Sequence, residues 1–197
     1  MGGKRTDTMD GLLEEIRACT LCHEALKHGV RPILQVHSQA KILIAGQAPG
    51  RKVHETGIPF DDPSGERLRD WMGISKEVFY DASKIAIVPM GFCYPGTGKS
   101  GDLPPRPECA PAWNTRVMDG LQGLRLKLVI GQYAMDHYLG RARRNLTETV
   151  RDRGSLPKGI LPLPHPSPRN NRWLKRNPWF EAEVLPELKE MVRKALT

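Results

Sequence analysis

Residues 41–65 read KILIAGQAPGRKVHETGIPFDDPSG, and the first six of them point to the architecture. KILIAG is a short apolar run stopped by a glycine, the pattern of a strand buried on both faces in a parallel sheet. The connection leaving this run is unusual. Simple strand-to-helix connections take about two to six residues, whereas the stretch from Gly46 to Gly65 is punctuated by glycines and prolines and carries three acids, Glu55, Asp61 and Asp62. Turns of this composition expose backbone amides that can hold an anion or a carbonyl. Working outward, Ile85, Ile87 and Val88 form a second apolar run closed by Pro89, residues 126–131 (LKLVIG) a third, and residues 160–163 a fourth. Helical spacing falls between them. Leu12, Leu13 and Ile16 predict an N-terminal helix over residues 10–22 that carries two cysteines, and further helices are expected at 64–71, 111–121 and 133–139. Asn177 and Pro178 supply an N-cap and a first-turn proline for a terminal helix. Strands alternating with helices predict one α/β domain over residues 1–197, a parallel sheet covered on both faces, with ligands beyond the carboxyl ends of the strands.

Composition narrows the class. At 39% hydrophobic and 26% charged residues the chain reads as a soluble globular protein, and it has no apolar run approaching the roughly 18 residues that span a bilayer. The first residues, MGGKRTDTMDG, lack the apolar run of a secretory signal, so a cytoplasmic location is expected. Gly2 and Thr6 meet a loose myristoylation pattern that is short enough to arise by chance. The formal net charge of +8 is concentrated. Residues 141–176 hold ten Lys/Arg (Arg141, Arg143, Arg144, Arg151, Arg153, Lys158, Arg169, Arg172, Lys175, Arg176) against Glu148 and Asp152, while the rest balances at twenty against twenty. That is the distribution of a neutral domain carrying one basic face; a polyanion such as nucleic acid is the natural partner of such a face, and a merely solubilising role is the alternative.

Two more loops leave strand ends. Residues 91–109, GFCYPGTGKSGDLPPRPEC, contain a GKS tripeptide that invites a phosphate-loop reading, but the glycine required five residues before Gly98 is Cys93, and the prolines after Ser100 stop the required helix. Residues 165–173, HPSPRNNRW, place His165 and Ser167 between prolines that stiffen the backbone, followed by Arg169, Asn170 and Arg172, side chains suited to phosphates. The four cysteines are Cys19, Cys22, Cys93 and Cys109. In a reducing compartment they favour metal over disulfides, and their spacing leaves zinc, an iron-sulfur cluster and four unrelated thiols open.

GQAPG, then GIPF, then HPSP together resemble the uracil-DNA glycosylase superfamily, and the four cysteines resemble those of its iron-sulfur branch, family 4. The resemblance runs from Cys19 to the HPSP loop. It implies a single-domain α/β/α sandwich with a central four-stranded parallel sheet, a uracil pocket at the strand ends, and a [4Fe-4S] cluster on the four cysteines, with zinc as the alternative. It further implies that Gly46, Gln47 and Ala48 line the pocket, that Phe60 stacks on the flipped uracil, and that His165 hydrogen-bonds the departing base at O2. Arg169 stands where the main branch places a leucine wedge. Two positions depart from the family pattern. The acidic run after the first motif is Arg51, Lys52, Val53, His54 and Glu55, and the base-reading asparagine after the second strand is replaced by Pro89, which shifts base recognition to backbone groups near Val88, Met90 and Gly91.

Hydrolysis of a deoxyuridine puts positive charge on the sugar and negative charge on the base. His165 and loop amides suit the second charge. A carboxylate or an amide must orient the water: Asp61 and Asp62 are the best-placed acids, Asp62 preferred and Glu55 behind them, Gln47 is the further catalytic candidate, and the competing role for an aspartate in DDPSGE is to cap the next helix. The functions expected are therefore excision of uracil from DNA by a monomer or, alternatively, capture of uracil-containing or abasic DNA with little turnover.

Overall fold

The computed structural model describes residues 8–99, 101–140 and 145–197. Among the described residues the strands are, in chain order, β1 (Ile42–Ala45), β2 (Ile85–Ile87), β3 (Thr97–Gly98), β4 (Gly101–Asp102), β5 (Leu126–Ile130) and β6 (Ile160–Leu163). Four of them form an all-parallel sheet in the order β2-β1-β5-β6, and β3 and β4 pair as a small antiparallel hairpin. The register aligns Ile42 with Ile85 and Leu126, and Leu128 with Leu161. β1 and β2 are buried throughout, as apolar runs covered on both faces should be.

Helices flank the sheet: α1 (Met9–Arg17), α2 (Arg51–Thr56), α3 (Pro63–Met72), α4 (Lys76–Tyr80), α5 (Cys109–Asp119), α6 (Gly131–Tyr138), α7 (Leu146–Arg151), α8 (Asn171–Arg176) and α9 (Leu185–Leu196). α9 buries Leu188, Val192 and Ala195 and packs on α3, β1 and β5, while α1 packs on α5. The single-domain α/β fold with a four-stranded parallel sheet is thus the one expected. Both edges of the sheet are occupied or blunted. Gln35 makes an antiparallel bridge to Ile87 and its side-chain amide donates to the carbonyls of Phe79 (3.0 Å) and Ile85 (2.8 Å), covering β2. On the far edge Pro162 sits within β6.

Three sequence expectations are corrected. The N-terminal helix ends at Arg17 instead of running to residue 22, because its buried stripe stops at Ile16 and Leu21 is 61% exposed, leaving nothing to pack a further turn. Cys19 and Cys22 therefore sit in consecutive turns. The terminal helix does not run regularly from Pro178: Phe180–Val184 is a π-type stretch, since Pro186 has no N–H to return to the carbonyl four residues back. The basic segment is not one face. Arg151, Arg153 and Lys158 lead to the amino end of β6, whereas Arg169, Arg172, Lys175 and Arg176 follow its carboxyl end. Arg153 is also engaged, 2.6 Å from Glu187, and Arg151 lies over the Trp179 ring. Arg141, Arg143 and Arg144 lie outside the described residues, as do Gly2, Thr6 and Ser100.

Candidate active site

A cleft of about 480 Å³ opens beyond the carboxyl ends of β1, β2 and β6. Its floor is the loop after β1, where Gly46, Gln47, Ala48 and Gly50 all face it. That loop is tied to the next strand's exit, because the amides of Met90 and Gly91 donate to the carbonyls of Gly46 (2.8 Å) and Gln47 (3.0 Å). These bonds correct an expectation. Met90 and Gly91 are buried behind the loop, their N–H groups are spent on it, and they do not line the cleft; Pro89 does.

Phe60 faces the cleft in a left-handed backbone conformation (φ 54°), which is costly for an aromatic residue and is held by its surroundings. Its ring meets Phe79 edge-on, with centroids 6.1 Å apart. Gly65 makes the turn possible: a Cβ there would lie 1.8 Å from the Phe60 carbonyl oxygen. A flat apolar ring is thereby presented at a fixed angle, a surface on which a base can stack.

His165 follows β6 after Pro164 and is partly buried in the cleft wall. Its Nδ1 accepts a hydrogen bond from the Ser167 amide (3.2 Å), so in the neutral ring the proton belongs on Nε2, where the imidazole is a donor. Burial lowers its pKa from the ordinary value, with Asp62 and Asp102 pulling weakly the other way, so the neutral donor form is favoured. The loop is braced from two sides: the Asn170 side chain donates to the His165 carbonyl (2.7 Å), and Arg67 on α3 donates to the Ser167 carbonyl (3.2 Å). Asn170 is thus turned inward as a brace instead of outward to phosphate. Ser167 lines the cleft, but its hydroxyl accepts from the Arg169 amide (3.2 Å) and caps the short turn Pro168–Asn170.

The acids divide. Asp62 lines the cleft, and its Oδ1 accepts from the Gly65 amide (2.9 Å) as the N-cap of α3. Asp61 is not among the cleft-lining residues, and Glu55 pairs with Arg51 at 3.0 Å. Asp62→Ala is expected to lose about 1 kcal/mol of stability, visible as a lowered thermal midpoint, while Asp62→Asn keeps the cap and the midpoint. An acid the sequence reading passed over, Asp102 on β4, enters the cleft from the hairpin, together with Thr97. Arg51, Lys52 and Arg169 complete a cationic rim. Within GTGKS, the described residues Thr97 and Gly98 form a hairpin strand instead of a phosphate loop.

A second, small cavity is ringed by Cys19, Cys22, Cys93 and Cys109, with Trp113 and Phe92 beside them. Among the described residues no three His, Cys, Asp or Glu side chains close on a single metal-ion point. The thiols stand on the wall of a space instead. Burial pushes Cys93 up to about 11 and Cys109 to about 12, so the half-buried Cys93 and the buried Cys109 need a cationic centre beside them to ionise readily. Hydrogen-bond donors face the same space: the Phe92 amide donates to Cys109 Sγ (3.3 Å), and the buried indole Nε1 of Trp113 lacks a partner. Four soft ligands around a gap, with N–H donors beside them, suit a polynuclear cluster better than one ion.

No helix among the described residues is long and apolar enough to cross a membrane. The family model of the uracil DNA glycosylase superfamily matches residues 35–189. The match takes in all four strands of the sheet, the three cleft loops, Cys93 and Cys109, and begins after Cys19 and Cys22.

Proposed function

The chain belongs to the uracil DNA glycosylase superfamily, and we propose that it flips a uracil out of DNA and hydrolyses its N-glycosidic bond, leaving an abasic site. The observation that carries this reading is the pairing, in one cleft, of a conformationally fixed Phe60 with a neutral His165 whose Nε2–H is free of the loop that holds its Nδ1. Phe60 takes the face of the extruded base. His165 donates to its O2 as negative charge develops there, and the rim of Arg51, Lys52 and Arg169 holds the flanking phosphates, with Arg169 also filling the gap in the duplex. A single chain is the acting unit. The test is a labelled oligonucleotide with one uracil: strand cleavage after alkali supports excision, and an intact strand overturns it.

Capture without turnover is the second reading. It draws support from the first motif, where Ala48 leaves no carboxylate, and from the engaged amides of Met90 and Gly91, which leave fewer donors for the base. A shifted band that survives denaturation identifies it.

We further propose that Cys19, Cys22, Cys93 and Cys109 hold a [4Fe-4S] cluster, whose role is to tie the turns after α1 to the loop after β2 and the start of α5. Purified protein is expected to be brown with about four irons per chain. Colourless protein carrying zinc favours the alternative metal, and metal-free protein with four reactive thiols overturns both.

A further inference from the structure

We propose that Asp102, carried across the cleft by the β3–β4 hairpin, is the carboxylate that orients and deprotonates the attacking water, with Thr97 as its positioning residue. The inference rests on the excision reading and deepens it.

Three observations place a reactive acid there. Asp102 lines the same cleft as Phe60 and His165, and its Oδ2 lies close against the first motif: a Cβ built on Gly50 would be 3.5 Å from it. The carboxylate is then held from behind. Thr97 Oγ1 donates to Asp102 Oδ1 (3.2 Å), and the hydroxyl of Tyr94, only 2% exposed, shares a 2.5 Å hydrogen bond with the same Thr97 oxygen. With Thr97 donating forward, Tyr94 donates to Thr97, and a buried ring fixes the direction of the whole chain. Finally, the Gln47 side-chain amide donates to the Leu103 carbonyl (2.9 Å), locking the hairpin to the first motif. A motif that carries no acid of its own thus anchors the strand that carries one.

The other acids are less free to act. Asp62 Oδ1 is committed to the α3 cap, Asp61 is not on the cleft wall, and Glu55 is paired with Arg51. In the step proposed, the water oxygen bonds to C1′ as the C1′–N1 bond breaks and its electron pair leaves on the uracil. The water proton passes to the Asp102 carboxylate, which releases it to solvent to reset, and the anionic base accepts a hydrogen bond from His165 Nε2 before it is protonated from solvent. Nothing beyond water is consumed.

The test uses the full chain and single-turnover excision from a uracil-containing oligonucleotide. Asp102→Asn is expected to be slower by about 100-fold or more, the scale of general-base loss, with DNA affinity and thermal midpoint unchanged. Thr97→Val is expected to lose part of the rate at unchanged affinity, and Thr97→Ser to restore it, which a packing role for the threonine methyl would not predict. A wild-type chain that releases uracil alongside an Asp102→Asn variant of equal rate overturns this assignment alone. A slow Asp102→Asn whose midpoint or affinity has fallen in step, combined with a full-rate Thr97→Val, also overturns it. A wild-type chain that releases no uracil overturns both the excision reading and this one.

Discussion

His165→Ala is expected to lower single-turnover excision of uracil by about 100-fold or more while leaving DNA affinity nearly unchanged, because the lost donor acts mainly as charge reaches the departing base. The neutral, Nε2-protonated ring is what the geometry favours: Ser167 donates to Nδ1, and burial lowers the pKa. Stability is linked to the same proton. The folded state resists protonation that the unfolded chain accepts near pH 6.5, so between that value and the lower folded pKa stability falls as pH is lowered; above about 6.5 this contribution is complete. The wild-type rate should accordingly show no loss from His165 as pH is lowered to about 6.5. Rate measurements on the alanine variant across pH decide the matter. A variant at the wild-type rate removes the loop after β6 from the chemistry, and with it most of the excision reading.

The second large effect concerns salt. Lys52 on α2 and Arg169 in the loop after β6 line the cleft, and Arg172 and Lys175 follow on α8, after the carboxyl end of β6. If about four of them neutralise phosphates, log affinity should fall with log salt at a slope of about −3.6, roughly a hundredfold between 50 and 200 mM. Arg172→Glu should weaken binding to uracil-containing and normal DNA alike. Lys158→Glu makes the contrast, since Lys158 precedes the opposite end of β6 and should leave binding unchanged. Titrations by fluorescence anisotropy would read both. Salt-independent binding, or equal losses for the two reversals, contradicts the placement.

The sheet was legible because its strands are pure apolar runs closed by glycine or proline, a signal that depends only on burial on two faces. Phe60 and His165 were legible through the motifs GIPF and HPSP, and the structure adds what no spacing reveals: the left-handed turn at Phe60 and the ring nitrogen that Ser167 occupies. Asp102 was not legible. Its segment alternates no apolar residues, is crowded with glycine and proline, and becomes a hairpin only because Leu103 donates to Gly96 and Gln47 reaches across fifty-six positions to the Leu103 carbonyl. The reading of Met90 and Gly91 failed for a related reason: an amide's availability is decided by its tertiary partner, and here the partners are the carbonyls of Gly46 and Gln47. The segment 141–176 misled as a single basic face because β6 passes through it and carries its two halves to opposite ends of the sheet.

The edges of the sheet also bear on how copies of this chain meet one another. An open strand edge is a template on which a second chain can add its own strand. On the β2 side Gln35 already occupies that template through its bridge to Ile87. On the β6 side, Lys127 N–H donates to the Gly159 carbonyl, so residues 161 and 163 turn toward β5 and Pro162 turns outward, where its missing N–H interrupts the row of donors. Strand-by-strand polymerisation is therefore blocked at both ends, and concentrated solutions should resist fibrillar assembly while the native fold holds. Opening the Gln35 bridge, more than trimming any helix, is the change that would make the molecule sticky to itself.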